Sequence, residues 1–390
     1  MTICQQSCRI FLKNPLCGVS KRGLPLGIFI EIHAAFPLSF ERPLLTSEGM
    51  NTFMGDHSLL LPEEYYPLLG ILDTEIAIKT VKDNFEKNLA KNLHLTRVSA
   101  PLFVDAASGL NDDLNGVERP VGFDIPACGG DVQIVHSLAK WKRMALKRYG
   151  FGADTGLYTD MNAIRRDEEL DNLHSVYVDQ WDWEKIITRE MRNMDVLQDT
   201  VERIVIALKE SEYILNDKFP QIKPFIKGSV TFVTSQELED RWPDLTPKQR
   251  EDEICREHQT VFISQIGGKL KSGERHDGRA PDYDDWSLNG DLLLWYPILN
   301  RAVEVSSMGI RVDEKSLDEQ LKQAGCDNRR NFPFHKALLN GELPLTMGGG
   351  IGQSRICMLL LHKAHIGEVQ ASSWPDDMIA QCAAHGIQLL

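Results

Sequence analysis

Residues 288–313 read LNGDLLLWYPILNRAVEVSSMGIRVD, and this stretch decides the architecture. It divides into two apolar runs, Asp291–Leu299 and Ala302–Val312, which we read as adjacent antiparallel strands. The second run carries a carboxylate, two hydroxyls and an arginine between Glu304 and Arg311. Packing alone does not account for them, because buried polar groups need partners and a ligand is one way to provide them. Asp291 opens the first strand, so it and Glu304 are expected to face one another across the pair. Hard cations such as magnesium take carboxylate oxygens, usually one or two per ion with phosphate completing the set. The plainer alternative is a solvated acidic surface.

Further strand candidates are Asp131–Leu138, Ser229–Thr234, Val261–Ile266 and a short run, Thr96–Val104, that contains Pro101. Alternation over Ser175–Asp182 places Val176, Val178, Gln180 and Asp182 on one face. Steps of three and four between Ile78, Val81, Phe85, Leu89 and Leu93 predict a helix capped by Asp73. Other helices are expected at Ala139–Arg148, Asp195–Leu215, Ser316–Ala324 and Gln353–Lys363. Strands dominate the middle without βαβαβ regularity. That order predicts an α+β fold, a mainly antiparallel sheet flanked by helices, rather than a doubly wound one. The 390 residues allow two or three domains, yet no Pro/Gly/Ser-rich linker divides residues 61–390, which read as a single domain.

Residues 1–60 read as an N-terminal extension, poorly ordered or upstream of a true start at Met50 or Met54. Met1–Gly49 holds five basic and three acidic residues, three of the eight cysteines and no clear period. A signal peptide or mitochondrial presequence fits it poorly. The whole chain carries a net charge of −13, which argues against retention on nucleic acid by phosphate electrostatics. The cysteines form no CxxC pair and no repeated spacing, so neither a zinc ribbon nor a disulfide framework is indicated. Scattered cysteines fit a reducing, cytoplasmic setting. No apolar run reaches the ~20 residues of a membrane-spanning helix.

Three more stretches carry chemistry. GGGIGQSR (348–355) lacks the Lys-Ser/Thr ending of a Walker loop and the spacing of a dinucleotide fingerprint. Its glycines allow close backbone approach to a base or phosphate, with Arg355 able to stack and pair there; a tight strand-to-helix turn is the plain alternative. Asp282-Tyr283-Asp284-Asp285 is an acidic group shortly before Asp291. A cationic and polar set joins His136 and Ser137 at a strand end, Lys140 and Lys142 on a helix, Arg165 before Asp167 and Glu168, and Gln180 with Asp182. Arg165 beside two acids is equally readable as a surface ion pair of little energetic weight.

Their order along the chain resembles the catalytic core of class II aminoacyl-tRNA synthetases. The likeness sharpens at VHSLAKWKR (135–143), LHSVYVDQWDWE (173–184), RAPDYDDW (279–286), LNGD (288–291), EVSSMGIRVD (304–313) and GGGIGQSR (348–355). Together these resemble the ammonia-dependent asparagine synthetases, the aspartate–ammonia ligases that share the class II fold. The resemblance covers about residues 64–390. It implies ATP-dependent activation of the aspartate β-carboxylate as an adenylate, then attack by ammonia to give asparagine, AMP and diphosphate.

By the same resemblance, Arg165 binds the α-phosphate and Arg355 the nucleotide, with His136, Tyr283, Gly350 and Gly352 beside it. Asp291 and Glu304 match the carboxylates that hold magnesium. The aspartate pocket carries over to Asp112, Ser137, Lys142, Gln180, Asp182, Asp284, Ser307 and Arg311. Lys142 and Arg311 suit substrate carboxylates, and Asp182 and Asp284 suit its ammonium. Arg165, Asp112, Lys142 and Gln180 are the expected catalytic set, Asp112 on the loop Ser108–Gly116 accepting from incoming ammonium. A homodimer is implied, with the Asp73–Leu93 helix and the Pro101 strand at its interface. The connection Asp285–Leu288 is shorter than the family pattern, and the N-terminal extension has no counterpart.

The rivals are a tRNA-binding ligase and a synthetase-like regulator without amide synthesis. About sixty unpatterned residues do not supply an anticodon-binding barrel, and no basic stripe interleaved with aromatics is present, so nucleic acid is not an expected partner. A glutamine-dependent enzyme needs an N-terminal cysteine after Met removal, whereas Thr2 follows Met1 and Asn51 follows Met50. Free ammonia is therefore the expected nitrogen donor. A non-catalytic relative would have lost charged site residues, yet every one named is present.

Overall fold

The computed structural model describes residues 59–112 and 118–390. In it the apolar period of Val81, Phe85, Leu89 and Leu93 becomes α1 (Ile71–Leu93), with those four side chains buried. The N-cap is Gly70 rather than Asp73; Asp73 lies in the first turn, where a negative charge favours the helix dipole. The expected run Thr96–Val104 splits at Pro101 into β1 (Leu95–Arg97) and β2 (Phe103–Asp105), which join different sheets. β3 (Gly122–Ile125) and β4 (Gly130–Ile134) complete a small sheet in the order β2-β4-β3. β4 stops at Ile134, short of the expected Leu138, so His136 and Ser137 sit in the approach to α2 (Ala139–Tyr149).

The chain continues through β5 (Gly156–Ile164), β6 (Tyr177–Ile186) and α3 (Met194–Lys218). Then come β7 (Thr231–Thr234), α4 (Ser235–Arg241), α5 (Pro247–His258) and β8 (Thr260–Ser264). The opening stretch forms β9 (Asp284–Tyr296) and β10 (Arg301–Arg311). α6 (Glu314–Gln323), α7 (Pro333–Leu339), β11 (Thr346–Gly352), α8 (Gln353–Leu360) and α9 (Asp376–Ala384) finish it. The main sheet runs β1-β5-β6-β11-β10-β9-β8-β7. All inner pairings are antiparallel, and only the edge pairs β1–β5 and β7–β8 are parallel. The fold is α+β, a large mixed sheet flanked by helices.

Three expectations about the strands need correction. Residues 348–352 are not a turn but lie in β11, and none of those glycines has a positive φ. Asp285–Leu288 is not a connection between elements: it is an excursion within β9. Its pairing with β10 passes from Asp284↔Arg311 to Asn289↔Gly309, five steps on one strand against two on the other. A second irregularity between Glu304 and Ser306 sets Glu304 opposite Leu293 and Asp291 opposite Ser307, so the two carboxylates are not direct cross-strand partners.

Alternation along β6 divides the molecule into faces. Trp181 and Trp183 are fully buried on one side, where Phe85 of α1 meets the Trp181 ring at 4.6 Å and α3 adds Val201, Ile204, Val205 and Leu208. Aromatic pairs of this kind combine large apolar burial with a preferred tilted geometry. α2 packs on the opposite face, over Leu157 and Met161 of β5, which share that face with Gln180, Asp182 and Glu184. The described residues lie within one compact unit, 53–390. Leu59 and Leu60, assigned to the extension from sequence, pack against its main core; the rest of that assignment falls outside the described residues. Among the described residues no helix is long and apolar enough to cross a membrane.

Candidate active site

A cleft of about 360 Å³ opens on the α2 face, over β6, β11, β10 and the start of β9. Fifteen of the sixteen residues expected from sequence line it; Asp291 stands just behind. β11 forms part of the floor, and its glycines leave space that neighbouring side chains fill. A Cβ on Gly350 would approach Gln180 Oε1 at 2.5 Å and Asp182 Oδ1 at 3.1 Å. A Cβ on Gly348 would collide with the Glu184 carboxylate. The glycine run thus makes room for the polar row of β6 rather than for a turn.

That row is wired into buried ion pairs. Lys142 donates to Asp182 Oδ1 at 2.8 Å, to Trp183 O at 3.0 Å and to Gly349 O at 3.2 Å. An ammonium has three protons, so all three are engaged by the protein. Lys142 was expected to grip a substrate carboxylate; in the structure it fixes Asp182, whose other oxygen accepts from Leu138 N. Arg311 forms a fork with Glu184, through Nε at 3.1 Å and Nη2 at 2.8 Å, and donates Nη1 to Asp284. Two of its five N–H groups remain outside these bonds. Glu184, fully buried, was missed from sequence. Burial opposes its charge, but Arg311 and Lys142 outweigh that and hold its pKa below the usual glutamate range. One further step of the Gln180–Asp182 alternation would have reached it.

At the other end the cations are less committed. Arg165 follows β5, and among the described residues the carboxylate within ion-pair distance of it is that of Glu168, at 3.7 Å. Arg355, in the first turn of α8, donates to two backbone carbonyls, Glu304 O at 2.9 Å and Leu173 O at 3.4 Å. Arg279, also missed, bridges Ser307 Oγ at 2.7 Å and Asp291 Oδ1 at 2.6 Å. It lies within RAPDYDDW, but an arginine in a loop carries no periodic signal. His136 is buried, with Nδ1 3.0 Å from Asp112 O, and Ser137 Oγ accepts from Ala139 N at 3.1 Å. Burial and the charges of Asp112 and Asp284 push the Tyr283 phenol well above its ordinary pKa. Residues 113–116 of the expected loop Ser108–Gly116 lie outside the described residues.

Burial pushes the Asp291 carboxyl up to about 7, Glu304 adding to the rise and Arg279 opposing it. A buried carboxylate destabilised by a neighbouring one suits a divalent cation. Among the described residues no group of three or more acidic, histidine or cysteine side chains could hold a metal alone. Asp291, one oxygen of which accepts from Arg279, and Glu304 are the two carboxylates that could hold magnesium here, with phosphate oxygens completing the shell.

Solved structures similar to this fold are class II tRNA synthetases. The Entamoeba histolytica asparaginyl-tRNA synthetase in complex with asparaginyl-adenylate gives a TM-score of 0.56 at 12% identity, over 77% of this chain and 66% of that one. The Pyrococcus horikoshii asparaginyl-tRNA synthetase, also complexed with asparaginyl-adenylate, gives 0.52 at 15%, over 78% and 70%. At such identities the likeness is one of fold, and it places this chain among proteins with a class II synthetase core. The sequence narrows the class. The aspartate–ammonia ligase family model matches residues 72–386. The aspartate–ammonia ligase of Clostridium perfringens is 63% identical over 333 residues, 85% of this chain and 99% of the relative. That of Lactobacillus johnsonii is 61% identical over 335 residues, covering 85% and 100%. The chain belongs to the aspartate–ammonia ligase family, a family of enzymes.

Proposed function

We propose that this enzyme amidates L-aspartate with free ammonia at the expense of ATP, through a β-aspartyl-adenylate, releasing diphosphate and then AMP. One observation carries the reading: a single cleft joins a pole of loosely paired arginines, Arg165 and Arg355, to a pole of carboxylates held in buried ion pairs. Arg165 and Arg355 neutralise phosphate charge as the substrate β-carboxylate oxygen attacks the α-phosphorus and diphosphate leaves. Gly352, with Tyr283 and His136, accommodates the nucleotide beside Gly350, whose missing Cβ leaves room for Gln180. Asp291 and Glu304 would hold magnesium, which supplies charge neutralisation to the phosphates when bound.

Asp182 and Asp284 receive the substrate ammonium, each oriented by a buried cation, and the two remaining N–H donors of Arg311 take its α-carboxylate. Gln180 and Ser307 complete the polar wall of this subsite. Ammonia nitrogen then attacks the activated carbonyl carbon and AMP departs, with Asp112 accepting the proton lost by nitrogen. Lys142 acts by holding Asp182. We also propose a homodimer: Leu68, Leu72 and Ile76 leave an apolar row exposed on and before α1, the kind of patch that marks an interface.

The test is incubation with ATP, magnesium, aspartate and ammonium, following asparagine and AMP. Equal amounts of both, unchanged by glutamine or tRNA, are expected. ADP in place of AMP overturns the adenylate, and diphosphate exchange without asparagine overturns the amidation. Asp291→Asn is expected to abolish turnover in a folded protein; wild-type turnover removes Asp291 from the site.

A further inference from the structure

Arg355 rides on a helix whose N-cap has no side chain. Gly352 occupies that position, and a Cβ there would stand 3.2 Å from Arg355 Cβ. Helix starts ordinarily use Ser, Thr, Asp or Asn at this place, because the first-turn N–H groups lack intrahelical partners. Here the acceptor arrives from β6. Asp179, buried to 4% exposure, accepts from Ser354 N at 2.9 Å and from Gln370 Nε2 at 3.3 Å through Oδ1. Gln370 Nε2 also donates to Ser354 Oγ at 2.9 Å, which closes the ring. The second oxygen, Oδ2, meets Lys82 Nζ of α1 at 2.8 Å.

Arg355 itself touches only backbone carbonyls, and among the described residues no carboxylate pairs with it. The stance of its guanidinium is therefore set by the first turn of α8, not by an acid of its own. A negative charge at a helix N-terminus also offsets the positive end of the dipole, and Lys82 balances that charge in turn. We propose that Asp179 is a positioning residue for Arg355, capping α8 from β6 and tied by Lys82 to α1. The proposal rests on Arg355 being a nucleotide-binding residue. It connects the ATP end of the cleft to the helix that carries the exposed apolar row.

Two variants separate the parts. Asp179→Asn keeps the shape and one oxygen but turns an amide toward Lys82, and Lys82→Met removes only the partly exposed ammonium. Steady-state kinetics of the full chain in both substrates should show Asp179→Asn raising KM for ATP about tenfold, as expected for loss of the negative charge at the helix N-terminus and of a charged hydrogen bond. Lys82→Met should move it a few-fold in the same direction, and Lys82→Arg should restore it. KM for aspartate and the oligomeric state should stay unchanged. A purely structural role would instead lower kcat and melting temperature together, with both KM values intact, and that result overturns the proposal. Should Asp179→Asn fail to fold, Lys82→Met at wild-type KM for ATP overturns it equally. Arg355→Ala is the reference: if it raises KM for ATP while neither other variant does, the proposal fails and the nucleotide reading stands. If Arg355→Ala leaves KM for ATP unchanged, the nucleotide reading fails and takes the proposal with it.

Discussion

Glu184 shows how much of this site is decided by residues that do not line it. Its carboxylate takes the fork of Arg311, and Lys142 lies within 3.9 Å. Removing one partner of a buried charge pair leaves the other uncompensated, typically costing about 3–5 kcal/mol. Glu184→Gln is therefore expected to lower the unfolding free energy read from urea denaturation by that order, with a lower midpoint, and to raise KM for aspartate, because Arg311 loses its fixed orientation. An unaltered midpoint would show that Arg311 finds another anchor. Gly350→Ala asks the complementary question about space. Its methyl would displace the Gln180 amide, so KM for aspartate should rise while the melting temperature falls by only a few degrees, about 1–2 kcal/mol of overpacking; unchanged KM would mean that Gln180 is not needed where it stands.

Among elements, what the sequence revealed follows from how each one earns its burial. β6 was legible from its alternation, one face apolar and the other polar, and β10 as an apolar run that is buried along most of its length. α1 and α3 were legible for the same reason at the helical period. α4 and α5 were missed since their buried faces are small: α5 buries only Ile254 and Cys255 among its apolar side chains. Their signature lies instead in capping boxes, Thr234 with Glu237 and Thr246 with Gln249. Thr246→Ala should cost about 1 kcal/mol in a melting experiment. β5 was missed because GLYTDMNAI mixes small, polar and apolar residues, its place being fixed by β1 and β6 on either side. Glu184 and Arg311 lie 127 positions apart, a pairing no local pattern can announce.

The segment after α8 adds a pH dependence. Burial pushes the His365 imidazole down to about 4, and its Nδ1 accepts from Gly367 N at 3.0 Å. The unfolded chain restores a pKa near 6.5 and so binds the proton first as pH falls. This contribution is complete above about pH 6.5 and is lost progressively toward pH 4, by up to about 3 kcal/mol. Melting curves between pH 4.5 and 8 should show the loss, and His365→Asn should flatten that limb; an equally steep limb in the variant would place the titration elsewhere.

At the scale of the molecule, the sheet separates a covered face from a working one. α1 and α3 cover the first, and parts of both helices remain exposed: Leu72 is 74% exposed, with Ile206 and Tyr213 also open. If α1 is the subunit contact, Leu72→Glu should convert a dimer to a folded monomer in light scattering. Retention of the dimer would move the interface to another surface.

The excursion at Asp285–Leu288 also governs which changes of length this chain can accept. β9 runs three residues longer than β10 between the pairs Asp284–Arg311 and Asn289–Gly309. An odd surplus reverses the alternation, which is how Asp284 and Asp291, seven positions apart, come to serve the same side of the sheet. The segment acts as a phase shifter between the two poles of the cleft. Deleting one of its residues would turn one pole's carboxylate through to the opposite face, whereas inserting two would leave the parity intact and merely enlarge the bulge. Natural or engineered length variation here should therefore come in pairs.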